Sequence, residues 1–146
     1  VDYLNSNGGK YGMISVHLYR PFSVKHLLEI LPDSVSRIAV LDRAKDIAAN
    51  GEPLYLDVVD AVKERNIKVV GGRYGLSSKN TTPAQIKAVF DMLDSENMYH
   101  NFTIGINDDV TNLSLKVDNN FKISKERPWT FLADTVLECR PYWKKL

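Results

Sequence analysis

Polar residues able to do chemistry gather where four short apolar runs of this 146-residue chain end. Arg20 follows Met13–Leu18 (MISVHL), and Asp42, Arg43 and Lys45 follow Arg37–Leu41 (RIAVL). Arg73, Tyr74, Ser77, Ser78 and Lys79 follow Ile67–Val70 (IKVV), and Asn107, Asp108 and Asp109 follow Phe102–Ile106 (FTIGI). Two chemistries suit that set. Glycines and cations ahead of a capped helix, as in Gly71-Gly72-Arg73-Tyr74-Gly75, can hold a phosphate through backbone N–H groups and the helix dipole. The same glycines also suit a plain packing loop. Asp108-Asp109 can be read as a carboxylate pair for metal or acid–base work, or as a solvated, N-capping turn.

Neither arrangement is a complete site. The glycine loop lacks the G-x-G-x-x-G spacing, and no G-x-x-x-x-G-K-[ST] occurs in the chain. His17, His26 and His100 form no H-E-x-x-H or H-x-H pattern, and the serines lie in no nucleophile elbow. Cys139 is the one cysteine, so a disulfide or a cysteine-built metal site within the chain is excluded. The residues therefore point to no catalytic residue and no metal ligand. Sequons begin at Asn80, Asn101 and Asn112 and are read as chance, because the first residues contain no basic-then-apolar leader.

The elements that must position these residues follow from apolar periodicity. Val1 to about Asn5 reads as the end of a helix, and Met13–Leu18 as a strand with Ile14, Val16 and Leu18 on one face. Ser23 caps a helix carrying Val24, Leu27, Leu28 and Leu31, with Phe22 stapling onto Leu27, and Pro32 stops it. RIAVL is short and almost wholly apolar, as expected of a strand covered on both faces. Pro53 opens a second helix to about Arg65, followed by the strand IKVV. Thr82-Pro83-Ala84-Gln85 combines a capping Thr, a first-turn Pro and a reciprocal Gln ahead of Ile86, Val89, Phe90 and Leu93. FTIGI is the last strand. Strands and helices in strict alternation imply parallel pairing through right-handed crossovers, and so an α/β, three-layer α/β/α fold with a mainly parallel sheet. In such folds the carboxyl ends of the strands face the ligand, which is where the polar clusters lie.

Composition narrows the partners. With 19 basic and 18 acidic residues the net charge is +1, too balanced to favour nucleic acid, and no window is long and apolar enough to span a membrane. The chain reads as soluble and unsecreted. It begins without methionine and reads as a piece of something longer. Beyond Leu115 the periodicity dissolves into a tail with Pro128, Trp129, Phe131, Tyr142 and Trp143, aromatics able to dock on this domain or on a partner.

Val16–Pro32, Ile38–Val59, Val69–Leu93 and Phe102–Leu115 carry LYRPF, LDR, GEPLY, GGRYGL-S-K and GI-DDVT in that order. Over about Tyr11–Leu115 the chain resembles the second domain of pyruvate:ferredoxin (or flavodoxin) oxidoreductases. The resemblance implies a fold like the transketolase C-terminal domain, with the family's first strand missing here. It divides the chain into an N-terminally truncated domain, 1–115, and an unrecognised tail, 116–146.

It also implies a parent enzyme that oxidatively decarboxylates pyruvate to acetyl-CoA, using thiamine diphosphate, 4Fe-4S clusters and coenzyme A. Ferredoxin or flavodoxin would receive the electrons. None of those cofactors is expected on this segment, whose implied role is to pack against the other domains of the same oxidoreductase and help form its homodimer. Arg20, Arg43, Arg73, Tyr74, Lys79 and Asp108 are the candidates for interdomain or ligand contacts, Arg and Tyr being favoured at interfaces. The segment alone is expected to be inactive and the enzyme cytoplasmic, with a hydrogenosome-like or mitochondrion-related organelle as the other location. The alternative function is a free-standing module that binds a phosphorylated ligand or a protein partner.

Overall fold

The computed structural model describes residues 1–107 and 109–123. Asp108 and the tail residues Cys139, Pro128, Trp129, Phe131, Tyr142 and Trp143 lie outside them. The elements are α1 (Asp2–Ser6), α2 (Val24–Ile30), β1 (Arg37–Asp42), α3 (Pro53–Val62), β2 (Lys68–Arg73), a 3₁₀ turn (Leu76–Ser78), α4 (Pro83–Asp94) and β3 (Phe102–Thr103).

The strands form one parallel sheet in the order β1-β2-β3, with Arg37 opposite Lys68 and Gly72 opposite Phe102. Each residue step along a strand switches face. Ile38, Val40 and Val69 therefore pack with Leu27 and Leu31 of the α2 region and Val58 and Val62 of α3. Ala39, Leu41 and Val70 pack with Ala88, Val89 and Met92 of α4 on the opposite face. This is the three-layer α/β/α arrangement with a parallel sheet.

The two crossovers through α3 and α4 step the same way across the sheet but lie on opposite faces, so they are of opposite hand. One of them departs from the right-handed rule.

Local signals decide the helix ends. Ser23 accepts from the His26 amide, and Thr82 and Gln85 form the full reciprocal capping box of α4. At the other end, Arg65 donates to the carbonyls of Leu31 (3.0 Å) and Leu28 (3.4 Å), and Arg37 to those of Ser95 (3.1 Å) and Leu93. Both guanidiniums sit where the helix dipole is negative.

Three sequence expectations are corrected. Met13–Leu18 forms no strand, although its residues alternate. Alternation supplies a face to bury but not a neighbouring strand, and here Met13 and Leu18 stay 71% and 73% exposed. Gly71, Gly72 and Arg73 belong to β2 rather than to a loop, because the missing Cβ atoms are needed inside the sheet. A Cβ on Gly72 would lie 2.2 Å from the Phe102 ring, and one on Gly71 would lie 2.9 Å from Tyr55. The last strand stops at Thr103: after Ile104 donates to the Arg73 carbonyl, Gly105 turns the chain out at φ +77. Leu113 and Leu115 then bond beside Thr103 (3.0 and 2.9 Å), which returns Leu115 to the core.

The N-terminal segment is tied to α4. Tyr11 stacks on Phe90 (centroids 4.5 Å apart) and donates its hydroxyl to Asp94. That hydrogen bond, with burial and the Asp94 charge behind it, pushes the phenol from 10.0 up to about 12. The folded chain thus holds this proton more tightly than the unfolded one. Its stabilisation is complete below pH 10 and is lost as pH rises through about 12. We expect the urea midpoint of the wild type to exceed that of Tyr11→Phe below pH 10 and the gap to close above it. A gap unchanged across that range would show that the phenol proton does not hold this segment.

Candidate functional site

At the carboxyl ends of β1 and β2 the side chains form a buried polar network built on the start of α3. Asp42, the last residue of β1, accepts from the amides of Leu54 and Tyr55, both at 3.1 Å. Those N–H groups have no partner inside their own helix, so Asp42 caps α3 from a neighbouring strand. Burial raises its pKa, opposed by the two amides and reinforced by the charges of Glu52 and Asp57.

Glu52 occupies the N-cap position of α3 but makes no cap bond with its side chain. Its carboxylate, 2% exposed, pairs with Arg73 and also accepts from the Asp46 amide (2.7 Å). Arg73 also donates to the Asn101 side chain at 3.2 Å.

Beside this network lies His100. Its Nδ1 accepts from the Gly71 amide (3.0 Å), its Nε2 faces the Asn50 carbonyl (3.2 Å), and its ring stacks on Tyr55 at 4.4 Å. One donor and one acceptor assign the tautomer: the proton is on Nε2. The Asn101 amide in turn bonds to the Gly71 carbonyl (2.9 Å), so a side chain and a backbone group together extend the β2–β3 ladder.

The sequence candidates fall out as follows. Arg73 points its guanidinium inward, pairing with the buried Glu52 and donating to Asn101. Arg43 donates Nε to the Gly75 carbonyl (3.1 Å), tying the end of β1 to the turn after β2, and Gly75 takes φ +61. Lys79 reaches the Gly105 carbonyl at 3.3 Å. Tyr74 is half-buried against the α4 side of the core, with its amide on the Asp42 carbonyl. Arg20, without a strand before it, is displaced from this group. It pairs with Asp57 on α3 at 2.6 Å and lies over the Tyr19 ring, whose phenol is raised first by burial and then by Asp57. Asp109 is a turn residue: it accepts from Thr111 and Ser114, and the Thr111 hydroxyl does most to hold its carboxyl below the usual range.

Glu52, Asn101 and His100 are the members that spacing did not reveal. A usable signal existed for Glu52: glutamate is a weak N-cap, and one placed between Gly51 and Pro53 is free to serve another partner. Among the described residues no group of three or more His, Cys, Asp or Glu side chains could hold a metal ion. A single cysteine in the whole chain does not fit a 4Fe-4S cluster, which takes four thiolates. No described helix is long and apolar enough to cross a membrane. What the arrangement does chemically is neutralise the buried Glu52 with Arg73 and cap α3 with Asp42, beneath a polar edge.

Residues 1–86 match the family model described as pyruvate:ferredoxin oxidoreductase core domain II. The chain is 55% identical over 126 residues to a pyruvate-flavodoxin oxidoreductase of Nostoc sp., covering 84% of this chain and 31% of that one. It is 52% identical over 126 residues to a pyruvate:ferredoxin oxidoreductase of Moorella thermoacetica, covering 85% and 11%. A probable pyruvate-flavodoxin oxidoreductase of Escherichia coli is 51% identical over 128 residues, with coverage of 82% and 11%. The chain therefore spans between about a tenth and a third of these relatives' lengths.

Proposed function

The chain belongs to the pyruvate:ferredoxin oxidoreductase core domain II family, and from that premise we propose that it is an architectural, interdomain-packing domain without catalytic residues of its own. The observation that carries this reading is the internal commitment of Arg73. The cation that sequence placed at the centre of a ligand loop neutralises Glu52 instead. Arg43 and Lys79 likewise spend donors on carbonyls of neighbouring turns. These bonds fix each cation against the fold, which suits a firm, polar edge for a neighbouring domain to dock on.

In the parent enzyme the reaction is oxidative decarboxylation of pyruvate to acetyl-CoA, with electrons passed to ferredoxin or flavodoxin. Thiamine diphosphate, 4Fe-4S clusters and coenzyme A are held by other domains of the same protein, which acts as a cytoplasmic homodimer. Arg20, Arg43, Tyr74 and Lys79 meet the neighbouring domains, as does Asp108, and Arg73 stiffens the edge from beneath.

The test is the mass of the endogenous protein, read by blotting with an antibody to this domain. We expect a band several times heavier than this chain, and pyruvate oxidation only with that species. A band at the chain's own size would overturn the reading.

A further inference from the structure

The sequence contains two Asn-Gly dipeptides, Asn7-Gly8 and Asn50-Gly51, and the fold treats them in opposite ways. At Asn7 both potentially reacting groups are occupied. The Asn7 side-chain amide donates to the Tyr3 carbonyl at 2.7 Å, and the Gly8 amide donates to the Asn5 carbonyl at 3.1 Å. At Asn50 neither is. The exposed Asn50 side chain makes no hydrogen bond among the described residues, where only its backbone carbonyl is engaged, by His100. The Gly51 amide donates to none of them either. Ile47–Gly51 lies in no helix or strand.

We propose that Asn50-Gly51 is a site of spontaneous, water-consuming modification, deamidation to aspartate and isoaspartate, built into the edge of the polar network. The Gly51 nitrogen attacks the side-chain amide carbon of Asn50, its proton leaves with the departing ammonia, and a cyclic imide forms. Water then opens either carbonyl. Attack at the side-chain carbonyl gives aspartate, and attack at the backbone carbonyl gives isoaspartate, which inserts one carbon into the main chain. Glycine permits the ring because no side chain hinders its nitrogen.

The location gives the reaction a consequence. Gly51 is packed under Tyr55, where a Cβ would lie 2.3 Å from the ring, so a lengthened main chain presses on the Tyr55–His100 stack. It also removes the Asn50 carbonyl from His100 and adds a carboxylate next to Glu52, whose only cationic partner among the described residues is Arg73.

The experiment is peptide mapping by mass spectrometry of the full chain after incubation at mildly alkaline pH, folded and in urea. An isoaspartate-specific methyltransferase serves as a second readout. We expect the Asn50 peptide to gain the deamidation mass several-fold faster than the Asn7 peptide in the folded chain, and the two rates to converge in urea. In the folded chain methylation should follow the Asn50 peptide and fall several-fold in Asn50→Ala. Equal rates in the folded chain, a faster Asn7, or no conversion at either position would overturn the proposal.

Discussion

Arg73→Ala should unfold at far lower urea than the wild type, with a loss of about 3–5 kcal/mol. The size follows from what is left behind rather than from the strength of the pair itself. Glu52 is 2% exposed and keeps only the Asp46 amide, Asn101 loses its donor, and the Glu52 charge that acts on Asp42 loses its counter-ion. A stable domain has about 5–15 kcal/mol in all, so the variant is near its limit even if it folds. Glu52→Gln combined with Arg73→Met removes both charges while keeping their volumes, and should recover most of the loss. A single-variant loss within about 1 kcal/mol, the range of an exposed ion pair, would mean that water reaches Glu52.

The second large effect is at Phe102, the largest apolar side chain with no exposed surface among the described residues. Phe102→Ala should cost about 3–5 kcal/mol, the transfer of the ring plus the cavity it leaves among Val70, Ala88, Val89, Met92, Ile104 and Leu115. Gly72→Ala alone fails for the opposite reason. Its new methyl would collide with the same ring, an overpacking worth about 1–3 kcal/mol. Together they should cost less than their sum, because the alanine Cβ occupies space that the ring has vacated. Urea titration of the two single variants and the double variant measures that coupling, and strict additivity would show that the sheet relaxes around each independently.

The elements legible in the sequence are those whose cause is local. Thr82 and Gln85 are three residues apart, and their reciprocal bonds need nothing beyond the first turn of α4. Arg37–Leu41 is apolar on both faces because it is covered on both, and no other element could bury it. The illegible part depends on distant pairing. Met13–Leu18 alternates as a strand should, but a ladder also needs an edge brought to it. Gly71 and Gly72 read as a loop because nothing local says that Tyr55 and Phe102 will arrive where their side chains would have been.

The candidate site divides the same way. That Arg43, Arg73, Tyr74 and Lys79 cluster at strand ends follows from α/β topology. That Arg73 is spent on Glu52, 21 residues earlier, and that His100 completes the hydrogen bonding of Gly71, 29 residues earlier, are facts of tertiary contact. The family resemblance fixed the architecture without revealing these commitments.

The unequal lengths of the two ladders govern how the domain opens. β1 and β2 share six facing positions, whereas β2 and β3 share two, extended by the His100 ring and the Ile104 amide. Amide exchange on the β3 side will proceed through a partial opening that leaves β1, α3 and β2 intact, well below the free energy of global unfolding. A protease acting on the native chain then finds its first purchase just beyond β3, around Gly105–Asn107, and the fragment that survives longest is the β1–α3–β2 unit.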